Sequence, residues 1–246
     1  MKFATKMKVL AGAIALLGAA QANAAVVTNN ASSGNSNFMF SAFDAAGNSY
    51  VLGLGLRMDD LVADATTSRT FSLTGLSSFF AGITGAEWSV TAADSVGSQF
   101  KNFRIVTSYD ATSAPDPSTF NNTGVKNGAG AFQAFANQGT DTGALTTHDP
   151  LSTAYAGQPL WGRDWGNRGL VNTTELVNGA ELSSWYFNTG ATGTATGLSS
   201  VTQFANWKLD LAHDQLVYAP VPVPAAAWLL GSGLVGLVRA KRRQKV

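Results

Sequence analysis

Apolar and polar residues alternate along several short stretches of the chain, the pattern of strands with one buried face. The first is Phe38-Met39-Phe40-Ser41-Ala42-Phe43, and after Asp44-Ala45-Ala46-Gly47-Asn48 comes Ser49-Tyr50-Val51-Leu52-Gly53-Leu54-Gly55-Leu56. Two such runs around a cluster of turn residues predict a β-hairpin. In its second strand Leu52, Leu54 and Leu56 share the core face, and Gly53 and Gly55 the other. Phe71 and Leu73 also alternate with polar neighbours. Leu76, Phe79, Phe80 and Ile83 then recur at helical spacing before period two returns over 87–92. A short helical turn between strands is expected there. Phe103, Ile105, Thr107 and Tyr109 form another alternating set, and Trp207, Leu209 and Leu211 a last one, with Ala212-His213-Asp214-Gln215 turning into Leu216-Val217-Tyr218. From about 115 to 197 no period is sustained. One short helix around Phe132 and Phe135 is expected within 121–138, and the Gly/Thr/Ala/Ser run 189–200 reads as a loop. The whole predicts an all-β fold, an antiparallel β-sandwich or jelly roll, with the strand order open.

The two ends have different patterns. Lys2, Lys6 and Lys8 precede an apolar run over 9–20, and Ala22-Asn23-Ala24 follows as a small-x-small site. Residues 1–24 therefore read as a secretory signal peptide, with a signal peptidase as partner and Ala25 as the first mature residue. At the other end Val221-Pro222-Val223-Pro224 leads into the apolar run 225–238, which begins at Ala225 and carries Ser232 as its only polar side chain. Arg239, Lys241, Arg242, Arg243 and Lys245 close the chain. The prolines keep their segment extended and suit the first turn of a helix. As a helix the apolar run spans about 21 Å, short of the roughly 30 Å hydrocarbon core, so snorkelling cations or local thinning must supply the rest. The basic cluster is expected to stay cytoplasmic, leaving residues 25–219 outside the inner membrane.

An extended proline motif, a short Gly-rich apolar helix beginning AAAWLLGSGLVGL and a terminal Arg/Lys cluster, in this order at the C-terminus, resemble the PEP-CTERM sorting signal in its VPxPA variant. Val223 stands where the name-giving motif has glutamate. The resemblance covers 221–246, within a tail of 220–246. It implies removal of the tail by an exosortase, a membrane processing enzyme, with the inner membrane as a transient stop. It also implies a place at the cell surface or in the extracellular matrix of a Gram-negative bacterium that makes exopolysaccharide.

Between the ends the charge picture changes. The net charge of the whole chain is +1, yet residues 25–219 hold eight basic residues against all fifteen acidic ones, a formal −7. An acidic domain has no footprint for phosphate backbones, so nucleic acid is excluded as an expected partner. The chain has no cysteine, which removes disulfides, thiolate metal sites and cysteine nucleophiles.

Candidate chemistry in the domain is sparse, and no cofactor or metal is expected. Glu87 and Asp94 are a conceivable glycosidase pair, but on one strand a seven-residue offset puts them on opposite faces about 23 Å apart. Asp59, Asp60 and Asp64 form the densest acidic cluster without EF-hand spacing, and read as turn carboxylates. His148 and His213 are too few for a metal motif, and no serine sits in a G-x-S-x-G elbow. The loop Trp161-Gly162-Arg163-Asp164-Trp165-Gly166-Asn167-Arg168-Gly169 has more pull. Trp161 and Trp165 offer flat apolar surface, and Arg163 and Asp164 planar hydrogen-bonding groups, as a sugar ring requires. The competing reading puts both indoles in the core. Three functions stay open: a non-catalytic surface or matrix protein, foremost; an exopolysaccharide-binding module using that loop; and a secreted hydrolase.

Overall fold

The computed structural model describes residues 36–110, 115–116, 119–136, 145–147, 156 and 174–221. They form the strands β1 (Asn37–Phe43), β2 (Asn48–Arg57), β3 (Arg69–Ser72), β4 (Glu87–Asp94), β5 (Arg104–Asp110), β6 (Leu145–Thr147), β7 (Thr174–Glu175), β8 (Glu181–Asn188), β9 (Ser200–Asp210) and β10 (Gln215–Pro220), with helices α1 (Met58–Ala63), α2 (Leu76–Phe79) and α3 (Asn122–Ala136). The protein is mostly antiparallel sheet, as the alternation predicts. All ten strands belong to one continuous sheet in the order β3-β10-β9-β8-β5-β4-β1-β2-β6, with β7 paired to β4.

The predicted hairpin is β1–β2, with Phe43 opposite Ser49 and Phe40 opposite Leu52. Asp44 builds its turn. One carboxylate oxygen accepts from the Ala46 and Asn48 amides at 2.9 and 3.0 Å, the other from the Asn48 side chain at 2.7 Å, and Gly47 supplies the positive φ of 96°. The helical spacing over 76–83 yields only the single turn α2. Asp214, in the β9–β10 turn, caps it by accepting from the Gly75 and Ser77 amides.

The sheet curls until its halves touch. Phe38 of β1 packs on Trp207 of β9 with ring centroids 5.8 Å apart, although three strands separate them in the sheet. Trp207 also meets Phe71 and Tyr218, and Phe40 stacks on Trp88. The leucine face of β2 closes this concave core, with Leu52, Leu54 and Leu56 all buried. A second core lies on the convex face, where Val125, Ala129, Phe132 and Phe135 of α3 cover Met39, Val51, Ile105, Tyr109 and Phe187. Here the expected helix around Phe132 and Phe135 finds its physical reason: it shields the outer face of the middle strands.

The loop 189–199 is a structural part in its own right. The Asn122 and Thr123 amides at the start of α3 donate to the Gly197 and Ala195 carbonyls, the Asn122 side-chain amide donates to the Thr194 carbonyl, and the Ser199 hydroxyl donates to the Asn122 side-chain oxygen. The first two amides of the helix are thus satisfied by a loop more than seventy positions away, and the Gly124 amide by the Asn121 side chain.

Candidate functional site

The richest polar arrangement lies at one mouth of the curl. Arg104, first residue of β5, stands opposite Asp94, last residue of β4. Its Nε and one terminal nitrogen both donate to Asp94 Oδ2, at 3.0 and 2.6 Å, and the other donates to Asp59 in the first turn of α1. Asp94 is 7% exposed in its side chain and Arg104 23%. Burial by itself lowers the Arg104 pKa, but the hydrogen bonds to Asp94 and Asp59 more than offset this and hold it above its ordinary value. The guanidinium thereby clamps α1 to the sheet. Tyr186 of β8 stands beside Arg104. Burial raises its pKa, with Arg104 opposing, so the phenol stays protonated at neutral pH.

Beside this clamp opens a pocket of about 210 Å³ lined by Val62, Ala65, Tyr186 and Thr202. It is smaller than a typical small-molecule site and suits a single ring or short side chain. Apolar walls and a protonated phenol equip it to hold such a group by contact. Inside the concave core, Trp88 Nε1, Trp207 Nε1 and Ser184 Oγ have no partner among the described residues, a polar cost that core packing outweighs.

The carboxylates singled out in the sequence are drawn apart. Asp59 goes to Arg104, while Asp64 binds Arg69 at 3.2 Å and accepts from Thr66 and Thr67. Asp60 lies with Asp59 in the first turn of α1. Among the described residues no group of three acidic or histidine side chains is placed to hold a metal. Glu87 and Asp94 begin and end the one strand β4, with Asp94 committed to Arg104. His213 pairs with Asp210 at 2.8 Å across the exposed β9–β10 turn, which lowers the Asp210 pKa.

Other candidates fall outside the described residues: Ala22 and Ala24; the loop of Trp161, Arg163, Asp164 and Trp165; His148; Pro222, Val223, Pro224 and Ala225; and Arg239, Lys241, Arg242, Arg243 and Lys245. Of the sorting motif only Val221 is described, directly after β10, and it is exposed. Among the described residues no helix is long and apolar enough to cross a membrane. The pocket and clamp escaped the sequence reading because Val62, Arg104, Tyr186 and Thr202 come from four separate elements, and Ala65 from the turn after α1, with no shared spacing. No family model, curated protein or solved structure matches the chain.

Proposed function

We propose that this chain is a non-catalytic surface or extracellular-matrix protein of a Gram-negative bacterium, exported through residues 1–24 and sorted through residues 220–246. The observation that carries the reading is where the last strand stops. β10 closes at Pro220, one residue past the expected domain end, and Val221-Pro222-Val223-Pro224-Ala225 begins at the next position. β10 is an inner strand, held by β3 on one side and β9 on the other. The tail therefore leaves from a fixed point, and the four residues 221–224 span about 12 Å if extended before the apolar run begins. An exosortase-like enzyme in the inner membrane would meet an extended segment with a rigid domain as its N-terminal flank. The contact of Phe38 in β1 with Trp207 in β9, on which Phe71 of β3 and Tyr218 of β10 also pack, supports a sandwich-like closure of the curl.

Mass spectrometry of the mature protein tests both signals at once. The expected chain begins at Ala25 and lacks the basic cluster 239–245. Surface-located protein that keeps Met1 or Val246 refutes the reading.

A further inference from the structure

Helix α3 covers only part of the convex face. It lies over Met39, Val51, Ile105, Tyr109 and Phe187, and beyond them, toward β9, the side chains are polar and open: Glu181, Gln203 and Lys208 are exposed and Asn206 is half-buried. Leu182, Ala205, Trp207 and Leu209 belong to the concave core, so Glu181, Ser183 and Trp185 of β8 and Asn206 and Lys208 of β9 turn to the convex side. Trp185 stands at the border, packed against the α3 core yet only partly buried.

A bulge assembles the polar rim of this border. Ser184 stands opposite Ala205 and Trp185 opposite Gln203, which leaves Phe204 as the extra residue of β9. In an unbroken strand Gln203 and Asn206, three apart, would point to opposite faces. Across the bulge both turn to the convex side, and the Gln203 side-chain amide donates to the Asn206 side-chain oxygen at 3.3 Å. Gln203 is then the cross-strand neighbour of Trp185, and Asn206 that of Ser183. Trp185 Nε1 donates to Ser183 Oγ at 2.8 Å, and that hydroxyl donates to the Tyr109 carbonyl at 3.1 Å. The indole is thereby laid back along β8 across two rows about 7 Å apart, with the two amides along its β9 side.

We propose that this surface is a binding platform for a neutral glycan. The indole gives a flat apolar area for the hydrogen-bearing face of one sugar ring. Bound to each other, the two amides still keep a carbonyl oxygen and N–H groups without a partner among the described residues. Neighbouring sugar hydroxyls, each both donor and acceptor, can therefore be met by both kinds of group. Apolar contact beside a few placed polar groups is the usual makeup of such a site. In the next row Glu181 and Lys208 pair at 3.3 Å and cancel each other's charge. Residues 25–219 as a whole carry the formal −7, which repels an acidic polysaccharide and leaves a neutral one as the fitting class. The platform is independent of how the tail is sorted and of Trp161 and Trp165.

The full-length chain in detergent is titrated by calorimetry with hexamers of glucose, mannose and galactose in α and β linkage, and with hexagalacturonate as the acidic control. At least one neutral hexamer is expected to bind. Gln203→Ala and Asn206→Ala should each weaken it about fivefold, as the loss of one ordinary hydrogen bond gives, with the thermal midpoint unchanged because both side chains lie at the surface. Trp185→Leu keeps an apolar contact with the α3 core but removes the flat ring, and is expected to abolish binding while the circular-dichroism spectrum stays that of the wild type. Where Trp185→Leu unfolds, the two amide variants decide alone. Binding of none of the neutral hexamers overturns the proposal, and so does tighter binding of hexagalacturonate. A neutral hexamer held equally by the wild type, Gln203→Ala and Asn206→Ala overturns it too, because the glycan then sits elsewhere on the protein.

Discussion

Replacing Gly193 by alanine tests whether the loop 189–199 is the rigid anchor of α3. A Cβ at position 193 would fall inside contact distance of the Phe100 carbonyl oxygen, 2.8 Å from the Thr189 carbonyl and 3.1 Å from the Asn122 side-chain amide. Two of these neighbours are backbone. The Thr189 amide donates to Phe103 and its hydroxyl accepts from the Phe103 amide, so it has little room to move. The third is the residue that ties α3 to the loop. Overpacking against fixed groups costs about 3 kcal/mol, the upper end of its usual range, and for a domain near 200 residues that lowers Tm by about 6–12 °C. Gly190 is the internal control. It has a φ of +67° and nothing within 4 Å of an added Cβ, so Gly190→Ala carries only the left-handed backbone strain of about 1–2 kcal/mol. Urea unfolding of residues 25–221, followed by tryptophan fluorescence, gives both numbers from the midpoint at constant slope. Gly193→Ala at wild-type stability, or Gly190→Ala the worse of the two, would refute the reasoning.

Arg104→Met leaves Asp94 under α1 without its cation and should cost about 2–3 kcal/mol, between the ranges of exposed and fully buried pairs; adding Asp94→Asn should recover part of it, and a double-mutant cycle showing no coupling would contradict the clamp. Burial pushes the Tyr218 pKa up to about 12 from 10.0 and raises those of Tyr109 and Tyr186 too. Because the folded state favours the protonated phenol, this stability is complete below about pH 10 and is lost as pH climbs toward 12; denaturant midpoints flat from pH 9 to 12 would disprove it. Reversing the charge of Arg239, Lys241, Arg242 and Arg243 is expected to remove the cationic stop after a short apolar run, giving export without retention, as cell fractionation would show. Retention at the wild-type level would count against residues 220–246 as an anchor.

The hairpin β1–β2, the strands at 87–94 and 104–110, the last strand pair and the helix around Phe132 and Phe135 were legible in the sequence because each carries one period over consecutive residues. Strand β8 was not. Leu182 and Tyr186 point into the concave core while Phe187 and Trp185 pack on the convex one, and a strand apolar on both faces has no alternation to read. The start of β9 was hidden for a related reason, since its bulge at Phe204 shifts the phase between Thr202 and Ala205. The sequence by itself determined that the chain is antiparallel β with a short helix around Phe132 and Phe135, and which stretches at its ends are composed unlike the rest. Only the tertiary structure decided the strand order, the closure of β9 onto β1, and the meeting of Val62, Ala65, Tyr186 and Thr202 at one mouth. Those depend on pairings between residues up to more than a hundred positions apart, whose energy lies in packing across the curl and leaves no local period along the chain.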